Sequence, residues 1–172
     1  MPRLIVFAGL PASGKSTLGR ALAERTGAVW LRIDSMDEAI RASGTAPADL
    51  LDWTYRAARA VAADNLALGR DVIADCVNDW QAARDGWDAA AARVGAEVLW
   101  LEVVCSDIDE HRRRVETRVS DIPGQTPPDW AAVSGREYHT WTRDRVVIDT
   151  AHRSLPDCID QALGAVAGGA AA

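Results

Sequence analysis

Apolar residues in this chain occur in five short runs, and the segments between the runs carry apolar residues at helical spacing. The runs predict strands at 4–8, 28–33, 71–76, 97–104 and 145–149. Continuous apolar runs of this length are typical of parallel strands that are covered on both faces. Helices are predicted over 16–24, 36–42, about 48–68, about 80–94, 106–118 and from 155 onward, with a short helical piece before the last strand.

This alternation predicts an α/β fold, in which right-handed crossovers join five parallel strands between helical layers. Asp34 and Ser35 are expected to cap the second helix, and the small and proline residues at 43–47 are expected to break it. We expect one domain over residues 1–167 and a frayed glycine- and alanine-rich tail at 168–172. In such a sheet, ligands bind at the carboxyl ends of the strands.

The first predicted strand ends in Gly9-x-x-x-x-Gly14-Lys15-Ser16, the pattern of a phosphate-binding P-loop. Lys15 is the only lysine beside 18 arginines. A compact ammonium can enter a ring of backbone N–H groups for which a planar guanidinium is too broad. Lys15 is therefore expected to contact the phosphates of ATP, and Ser16 to ligate Mg²⁺. The predicted ATP-binding residues of the loop are Gly9, Pro11, Ala12, Ser13, Gly14, Lys15, Ser16 and Thr17. The alternative is a glycine-rich turn without nucleotide.

Composition narrows the classes of partner. A net charge of −6 and a pI near 5.0 argue against a basic groove for nucleic acid. No 18-residue apolar stretch is present, so we expect a cytoplasmic protein that does not contact a membrane. Three scattered cysteines and three scattered histidines indicate neither disulfides nor a metal centre. Most of the seven tryptophans are expected to fill the core, with an aromatic ligand pocket as the alternative.

Two aspartates end predicted strands and are candidates for chemistry. Asp75 follows the third strand and could hold Mg²⁺ together with Ser16, or could cap the next turn. Asp34 follows the second strand and could orient an acceptor hydroxyl and take its proton, or could serve only as a helix cap.

Arg114 and Arg118 lie one turn apart on the predicted fifth helix, just before a proline-rich loop. We expect them to belong to a lid at about 112–140 that closes over the nucleotide, with one guanidinium on the base and the other on the transferred phosphoryl group. Alternatively, the two cations only stabilise the end of the helix through its dipole. The acceptor side is less specified, and most of its candidates would serve equally well in packing or solvation. The candidates are Asp34, Asp37, Arg41, Tyr55, Arg56, Asn78 and Arg84.

Over nearly its whole length the chain resembles the small P-loop kinases of the nucleoside-monophosphate-kinase architecture. Residues 9–17 are similar to the loop of adenylylsulfate kinases and gluconate kinases, and Ile33-Asp34-Ser35 resembles chloramphenicol phosphotransferase and the zeta toxins. The resemblance implies a three-layer P-loop NTPase fold with a helical lid, ATP and Mg²⁺ as cofactors, and an alcohol as acceptor. It also implies that Asp34 is the general base, that Arg114 and Arg118 open the lid, and that Thr150 and Arg153 line the adenine. The acceptor segments match none of these families closely.

We therefore expect an ATP-dependent phosphotransferase that moves the γ-phosphate to a hydroxyl group of a small metabolite or natural product. One alternative is an antibiotic-inactivating O-phosphotransferase similar to chloramphenicol phosphotransferase. An alternative of another class is a nucleotide-dependent ATPase switch that acts on a protein partner. A polynucleotide kinase is disfavoured by the acidic pI. The expected partner is a hydroxyl-bearing small molecule, and the expected state is a monomer or a homodimer.

Overall fold

The computed structural model describes residues 1–44 and 52–168, and it contains a five-stranded parallel sheet. The strands are β1 (Arg3–Ala8), β2 (Val29–Arg32), β3 (Val72–Asp75), β4 (Glu97–Val104) and β5 (Val146–Asp149). The helices are α1 (Lys15–Thr26), α2 (Ile33–Ala42), α3 (Trp53–Ala67), α4 (Gln81–Ala92), α5 (Ile108–Thr117), α6 (Trp130–Ser134) and α7 (Leu155–Gly168). The strands lie in the order β2-β3-β1-β4-β5. The predicted α/β fold with a five-stranded parallel sheet is confirmed.

The sheet is covered on both faces, and β1, which is apolar from Leu4 to Ala8, alternates its side chains between two cores. Leu4 and Val6 point into a core with α3 and α4, whereas Ile5 and Phe7 point into a second core with α1 and α7. All four side chains are fully buried. The result is a three-layer sandwich with β1 at its centre.

The start of α2 differs from the prediction. The helix begins at Ile33 directly after β2, and its N-terminal flanking residue, Arg32, makes no capping hydrogen bond through its side chain. Asp34 therefore lies inside the first turn, and the predicted cap by Asp34 and Ser35 is wrong. The physical reason is the burial of Ile33, which is 3% exposed and packs into the core beside α3. Burial of this apolar residue sets the helix start without a capping side chain.

Two predicted features fall partly on residues outside the described ranges. The helix expected over about 48–68 is seen as Trp53–Ala67, and its first residues, like most of the break predicted at 43–47, lie outside the described residues. Gly168, expected in the tail, ends α7, and 169–172 lie outside the description.

No helix in residues 1–44 or 52–168 has both the length and the apolar character that a membrane crossing requires. Within the same ranges, no three histidine, cysteine or acidic residues are grouped as a metal site. The three cysteines are free thiols and are buried.

Candidate functional site

A cleft of about 1100 Å³ opens at the carboxyl end of the sheet. The loop at residues 9–17, here called the P-loop, follows the central strand β1 and forms the middle of the cleft. Residues that follow β2 and β3 lie on one side of it, and we call this side the acceptor half. Residues of α5 and those that follow β5 lie on the other side, which we call the nucleotide half. The cleft volume exceeds that of a typical single-ligand pocket and suits a nucleotide together with a second small molecule.

The P-loop has the backbone geometry that its glycines predict. Gly9 and Gly14 adopt φ values of +132° and +102°. A Cβ atom at Gly9 would lie only 2.0 Å from the carbonyl oxygen of Val103 on β4, so no larger residue fits there. Ala12 is also left-handed, with φ of +63°, although it has a side chain. Backbone strain of this kind is common where a loop is shaped for a ligand.

Lys15 lies inside this loop and is 7% exposed. Its Nζ donates a hydrogen bond to the carbonyl oxygen of Leu10 at 2.9 Å. Burial lowers the pKa of Lys15 below its usual value, while the nearby carboxylates of Asp75 and Asp34 act in the opposite direction. The ammonium therefore lies between the loop and two acidic groups, and within residues 1–44 and 52–168 it makes one of the three hydrogen bonds that it can donate.

Asp75 ends β3 and lies beside Ser16 and Lys15. It is 3% exposed, and its Oδ2 atom is buried without a hydrogen-bond donor among the described residues. Burial raises the pKa of Asp75, and Lys15 and the Ser16 hydroxyl oppose this effect. A buried carboxylate oxygen without a partner is rare in folded proteins. Carboxylate and hydroxyl oxygens are the ligands that Mg²⁺ prefers, so Asp75 and Ser16 fit this ion.

Asp34 is half-buried on the wall of the acceptor half. It receives no hydrogen bond from any residue in the described part of the chain, and it is close enough to Lys15 and Asp75 to influence both of their pKa values. With the cap excluded, its carboxylate is available to a molecule bound in the cleft.

In the nucleotide half, Arg114 contacts the segment after β5 through Thr150. Arg114 Nη1 donates to the Thr150 hydroxyl at 2.7 Å and Nη2 to the Thr150 carbonyl at 2.9 Å. The Thr150 hydroxyl lies 2.8 Å from the carbonyl oxygen of Ser13, to which it can donate. Helix α5, the P-loop and the segment after β5 are thereby joined at Thr150. Arg153 is exposed and also lines the cleft.

The structure brings most of the predicted P-loop and lid residues to the cleft wall. These are Pro11, Ala12, Gly14, Lys15, Ser16, Thr17, Arg114, Arg118, Thr150 and Arg153. Gly9 and Ser13, although they belong to the P-loop, are not part of the cleft wall. Gly9 packs against Val103, and the Ser13 side chain is buried with its hydroxyl unpartnered among the described residues.

His111 was not predicted to contribute to this site, yet it connects α5 to the P-loop. Its ring is 7% exposed, with Nε2 located 2.8 Å from the carbonyl oxygen of Pro11. The ring also packs edge-on against Trp130 of α6, with centroids 5.5 Å apart. The contact spans 100 residues, so no local sequence pattern could indicate it.

A second unpredicted contact joins β2 to the loop that follows α5. Both terminal nitrogens of Arg32 donate to the carboxylate of Asp121 at 2.8 Å. The Arg32 side chain is only 9% exposed. The hydrogen bond from Arg32 holds the pKa of Asp121 below its usual value. This two-point pair attaches the loop that follows Arg118 to the body of the protein.

The predicted acceptor residues divide into two groups. Asp34, Asp37, Arg41 and Tyr55 line the cleft, as do Trp30 and Trp80. Burial raises the pKa of Asp37, and the neighbouring Thr54 and Arg41 oppose it. Burial also raises the pKa of Tyr55 well above its usual value. The other three predicted residues, Arg56, Asn78 and Arg84, do not line the cleft.

These three residues correct the sequence-based prediction. Arg56 points to solvent and pairs with Asp52. Asn78 has φ of +51° after β3, which places its side chain in the core, where Nδ2 donates to the Phe7 carbonyl at 2.7 Å and Oδ1 accepts from Trp87 at 3.1 Å. Asn78 and Arg84 are both fully buried, and the main-chain oxygen of Asn78 accepts from Arg84 Nε at 2.8 Å.

Arg84 connects the core to the segment that leads from α6 to β5. Its guanidinium donates to the carbonyl oxygens of His139 at 3.0 Å and Thr140 at 3.3 Å. It also lies over the ring of Trp141, 4.0 Å from the centroid, and Arg145 lies 4.9 Å from the same centroid. Arg84 therefore acts as a structural residue that orders the segment between α6 and β5.

We expect Arg84→Met to lower the free energy of unfolding by about 2–4 kcal/mol, because it removes the donor to the buried Asn78 oxygen and to the part-buried oxygens of His139 and Thr140. Arg56→Met is a matched control, since the same substitution at an exposed position should change stability by no more than about 0.5 kcal/mol. Urea denaturation followed by circular dichroism measures both. Equal stability of the two variants would contradict the structural role of Arg84.

Comparisons with known proteins agree with this architecture. Residues 4–128 match a family model described as an AAA domain. The fold is similar to a sugar kinase from Janibacter sp. HTCC2649, at 18% identity over 97% of this chain and 95% of the other, with a TM-score of 0.71. An APS kinase from Mycobacterium tuberculosis, solved with AMPPNP and APS, gives 14% identity over 96% and 98% of the two chains and a TM-score of 0.71.

A gluconokinase from Sinorhizobium meliloti 1021 gives 21% identity over 96% and 92% of the two chains and a TM-score of 0.66. At these identities the likeness shows the fold, and the predicted P-loop kinase architecture is confirmed at that level. A comparison with curated proteins found no match.

Proposed function

This chain belongs to the AAA domain family, and on that premise we propose that it is an ATP-dependent phosphotransferase. The acceptor is a hydroxyl group of a small metabolite or natural product. One observation carries the proposal: a buried P-loop lysine and two carboxylates, Asp75 and Asp34, meet at the same end of the sheet. Phosphoryl transfer requires a phosphate cradle, a cation site and a group that orients the attacking hydroxyl, and this arrangement supplies all three.

In this mechanism the P-loop N–H groups and Lys15 hold the β- and γ-phosphates of ATP. Asp34 accepts a hydrogen bond from the acceptor hydroxyl and takes its proton as the oxygen bonds to the γ-phosphorus. The bond from the γ-phosphorus to the bridging oxygen breaks, and ADP leaves. Arg118, whose charge also contributes to lowering the pKa of Lys15, is positioned to neutralise charge on the transferred group.

Asp75 and Ser16 would hold Mg²⁺. When bound, this ion neutralises charge on the phosphates and draws electron density from the leaving oxygen. In this chain Asp75 supplies a buried oxygen without a donor among the described residues, and Ser16 supplies a hydroxyl at the start of α1.

Closure of the proposed lid can be tested by limited proteolysis. We expect the loop at 122–128 to be cut by proteases in the free protein and to be protected by ATP·Mg²⁺ or a non-hydrolysable analogue, because Arg114 and Arg118 gain phosphate contacts that hold the lid closed. Asp121→Asn weakens the pair with Arg32, so it should increase cutting of the free protein. The rates are read from a time course by mass spectrometry. Identical digestion with and without nucleotide would count against a lid.

Acceptor-stimulated release of ADP tests the function itself. A coupled assay is run across hydroxylated nucleosides, sugars, adenylylsulfate and antibiotics, with an acceptor-free control. Stimulation by one member, with a phosphorylated product of the expected mass, supports the proposal, and an antibiotic as the best acceptor would identify the antibiotic-modifying alternative. Slow ATP hydrolysis that no acceptor stimulates would favour the ATPase switch that acts on a protein partner.

A further inference from the structure

The acceptor half contains a carboxylate that the mechanism above does not use. Asp79 lies four residues after Asp75, lines the cleft and is 8% exposed. Its Oδ2 accepts a hydrogen bond from Arg136 Nη1 at 2.9 Å. Its Oδ1 is buried and has no donor among the described residues. Because buried carboxylate oxygens are nearly always hydrogen-bonded, this atom is suited to accept a hydrogen bond from a bound molecule.

Asp79 is held rigidly by contacts that leave Oδ1 unused. Its main-chain oxygen accepts from the backbone N–H of His139 at 2.7 Å and lies 3.5 Å from Arg84 Nη2. Arg136 fixes the carboxylate through Oδ2. A polar group whose position is fixed by its surroundings contributes more to selectivity than a mobile one, because little ordering remains to be done when a ligand binds.

The guanidinia of the acceptor half are already paired with carboxylates. Arg32 is bound at two points by Asp121, Arg136 is bound by Asp79, and Arg41 lies 3.9 Å from Glu38.

The carboxylates of Asp34 and Asp37 differ from these paired groups. Within residues 1–44 and 52–168, no ion pair within 4 Å joins Asp34 or Asp37 to a cation. Among the described residues, the carboxylates of Asp34 and Asp37 therefore face the cleft without a cation within 4 Å, while Arg32, Arg41 and Arg136 are each already next to a carboxylate. An anionic group placed here would meet repulsion from several sides.

An aromatic wall adjoins these carboxylates. The rings of Tyr55 and Trp80 lie 5.1 Å apart between centroids and are tilted by 59°. Both residues line the cleft. Such a wall packs against the flat apolar face of a ring, while the carboxylates hold the hydroxyl or amino groups at its edge.

We propose that Asp79 is an acceptor-binding residue that selects neutral or cationic hydroxyl compounds and excludes anionic ones. The inference rests on the proposed phosphotransferase function. Oδ1 of Asp79 accepts a hydrogen bond from a hydroxyl or ammonium group of the acceptor that is not the group phosphorylated. Carboxylates that have no cation partner within 4 Å among the described residues repel an anionic acceptor, whereas Oδ1 of Asp79 attracts a hydroxyl or ammonium group. The selection therefore combines repulsion of anions with attraction of the preferred compounds.

A matched set of probes tests the charge rule. Glucosamine, glucose and gluconate share one carbon skeleton and carry positive, zero and negative charge, and an aminoglycoside, chloramphenicol and adenylylsulfate extend the set. With ATP·Mg²⁺ saturating, we expect kcat/KM for ADP release to be at least about 10-fold higher for the best neutral or cationic member than for any anionic member. Preference for gluconate or adenylylsulfate would overturn the inference alone. No stimulation by any member, with ATP still bound, would overturn the proposed function and this inference with it.

Two variants separate binding from structure. Asp79→Asn keeps the shape and the contact with Arg136 but removes the charge, so KM for a cationic acceptor should rise about 10–100-fold with little change in kcat. Arg136→Gln removes the counter-ion of Asp79, so preference for cationic over neutral acceptors should increase. These shifts are opposite in sign, which a loss of structure would not produce. Asp160→Asn, on the exposed side of α7, is the control and should change neither.

Nucleotide binding provides the final readout. Calorimetry should give the same ATP affinity for the wild-type protein and for both variants, because Asp79 lies in the acceptor half. An unchanged acceptor KM in Asp79→Asn, or a parallel loss of ATP affinity and acceptor affinity, would overturn the assignment.

Discussion

Lys15→Arg is expected to reduce ATP turnover by about 10²–10³-fold, nearly as much as Lys15→Ala. The reason is steric. Lys15 is enclosed by the P-loop and only 7% exposed, and its Nζ donates a hydrogen bond to the Leu10 carbonyl oxygen at 2.9 Å. A guanidinium is broader and planar, so it cannot enter the loop without displacing the backbone that would cradle the phosphates. Every other cationic side chain in this sequence apart from histidine is an arginine. The expected loss in Lys15→Arg therefore comes from the size and shape of the guanidinium at this position and not from its charge.

The measurement is steady-state release of ADP at saturating ATP, with circular dichroism to show that each variant is folded. Arg25→Lys is the matched control, because it makes the reverse exchange at an exposed position on the same helix and should leave turnover unchanged. Turnover near the wild-type level in Lys15→Arg would refute the phosphate-binding role of Lys15.

Asp34→Asn is expected to slow phosphate transfer to the acceptor by about 10²–10⁴-fold. The amide keeps the shape of the side chain but cannot take a proton. Asp34 caps no helix and receives no hydrogen bond within the described residues, so we expect a change in melting temperature of no more than about 2 °C. ATP affinity should be nearly unchanged, because Asp34 acts on Lys15 through its charge and makes no ion pair with it within 4 Å among the described residues.

Single-turnover transfer, measured with the acceptor that the panel identifies, and ATP binding by calorimetry check this result. Asp64→Asn removes an exposed carboxylate from α3 and serves as the control. An unchanged transfer rate in Asp34→Asn would remove the general-base assignment but not the phosphotransferase proposal, since a loose transition state can proceed with little help from a base.

Features that depend on short-range rules could be predicted from the sequence. The bounds of β4 coincide with the predicted run at 97–104, because this mostly apolar segment packs in the sheet and its residues 100–103 are buried. The P-loop and the positions of Asp34 and Asp75 follow from one rule, which is that polar residues after parallel strands meet at one edge. Arg32, the last residue of β2, satisfies the same rule and could have been found by it.

Other features depend on contacts between distant segments. Arg32 and Asp121 are 89 residues apart, and Asp79 and Arg136 are 57 apart. The inward turn at Asn78 arises from a left-handed backbone that no spacing pattern indicates.

The burial of the individual tryptophans also could not be predicted from the sequence pattern. Trp87 and Trp100 are buried, as expected of most of the seven, whereas Trp30 and Trp80 line the cleft and Trp53 is 69% exposed. Their exposure is determined by which helix covers which strand. Hydrophobicity alone cannot distinguish a ring that completes a core from one that forms the wall of a ligand site.

The solitary, enclosed position of Lys15 has a consequence for covalent chemistry. The sequence contains one ε-amine. Burial lowers the pKa of that ε-amine, which raises the fraction present as the nucleophilic free base at neutral pH. Acylation or acetylation of any lysine in this protein is therefore modification of the P-loop itself. A label that reacts with lysine is in effect a reagent for the P-loop, and a molecule bound in the loop shields its target.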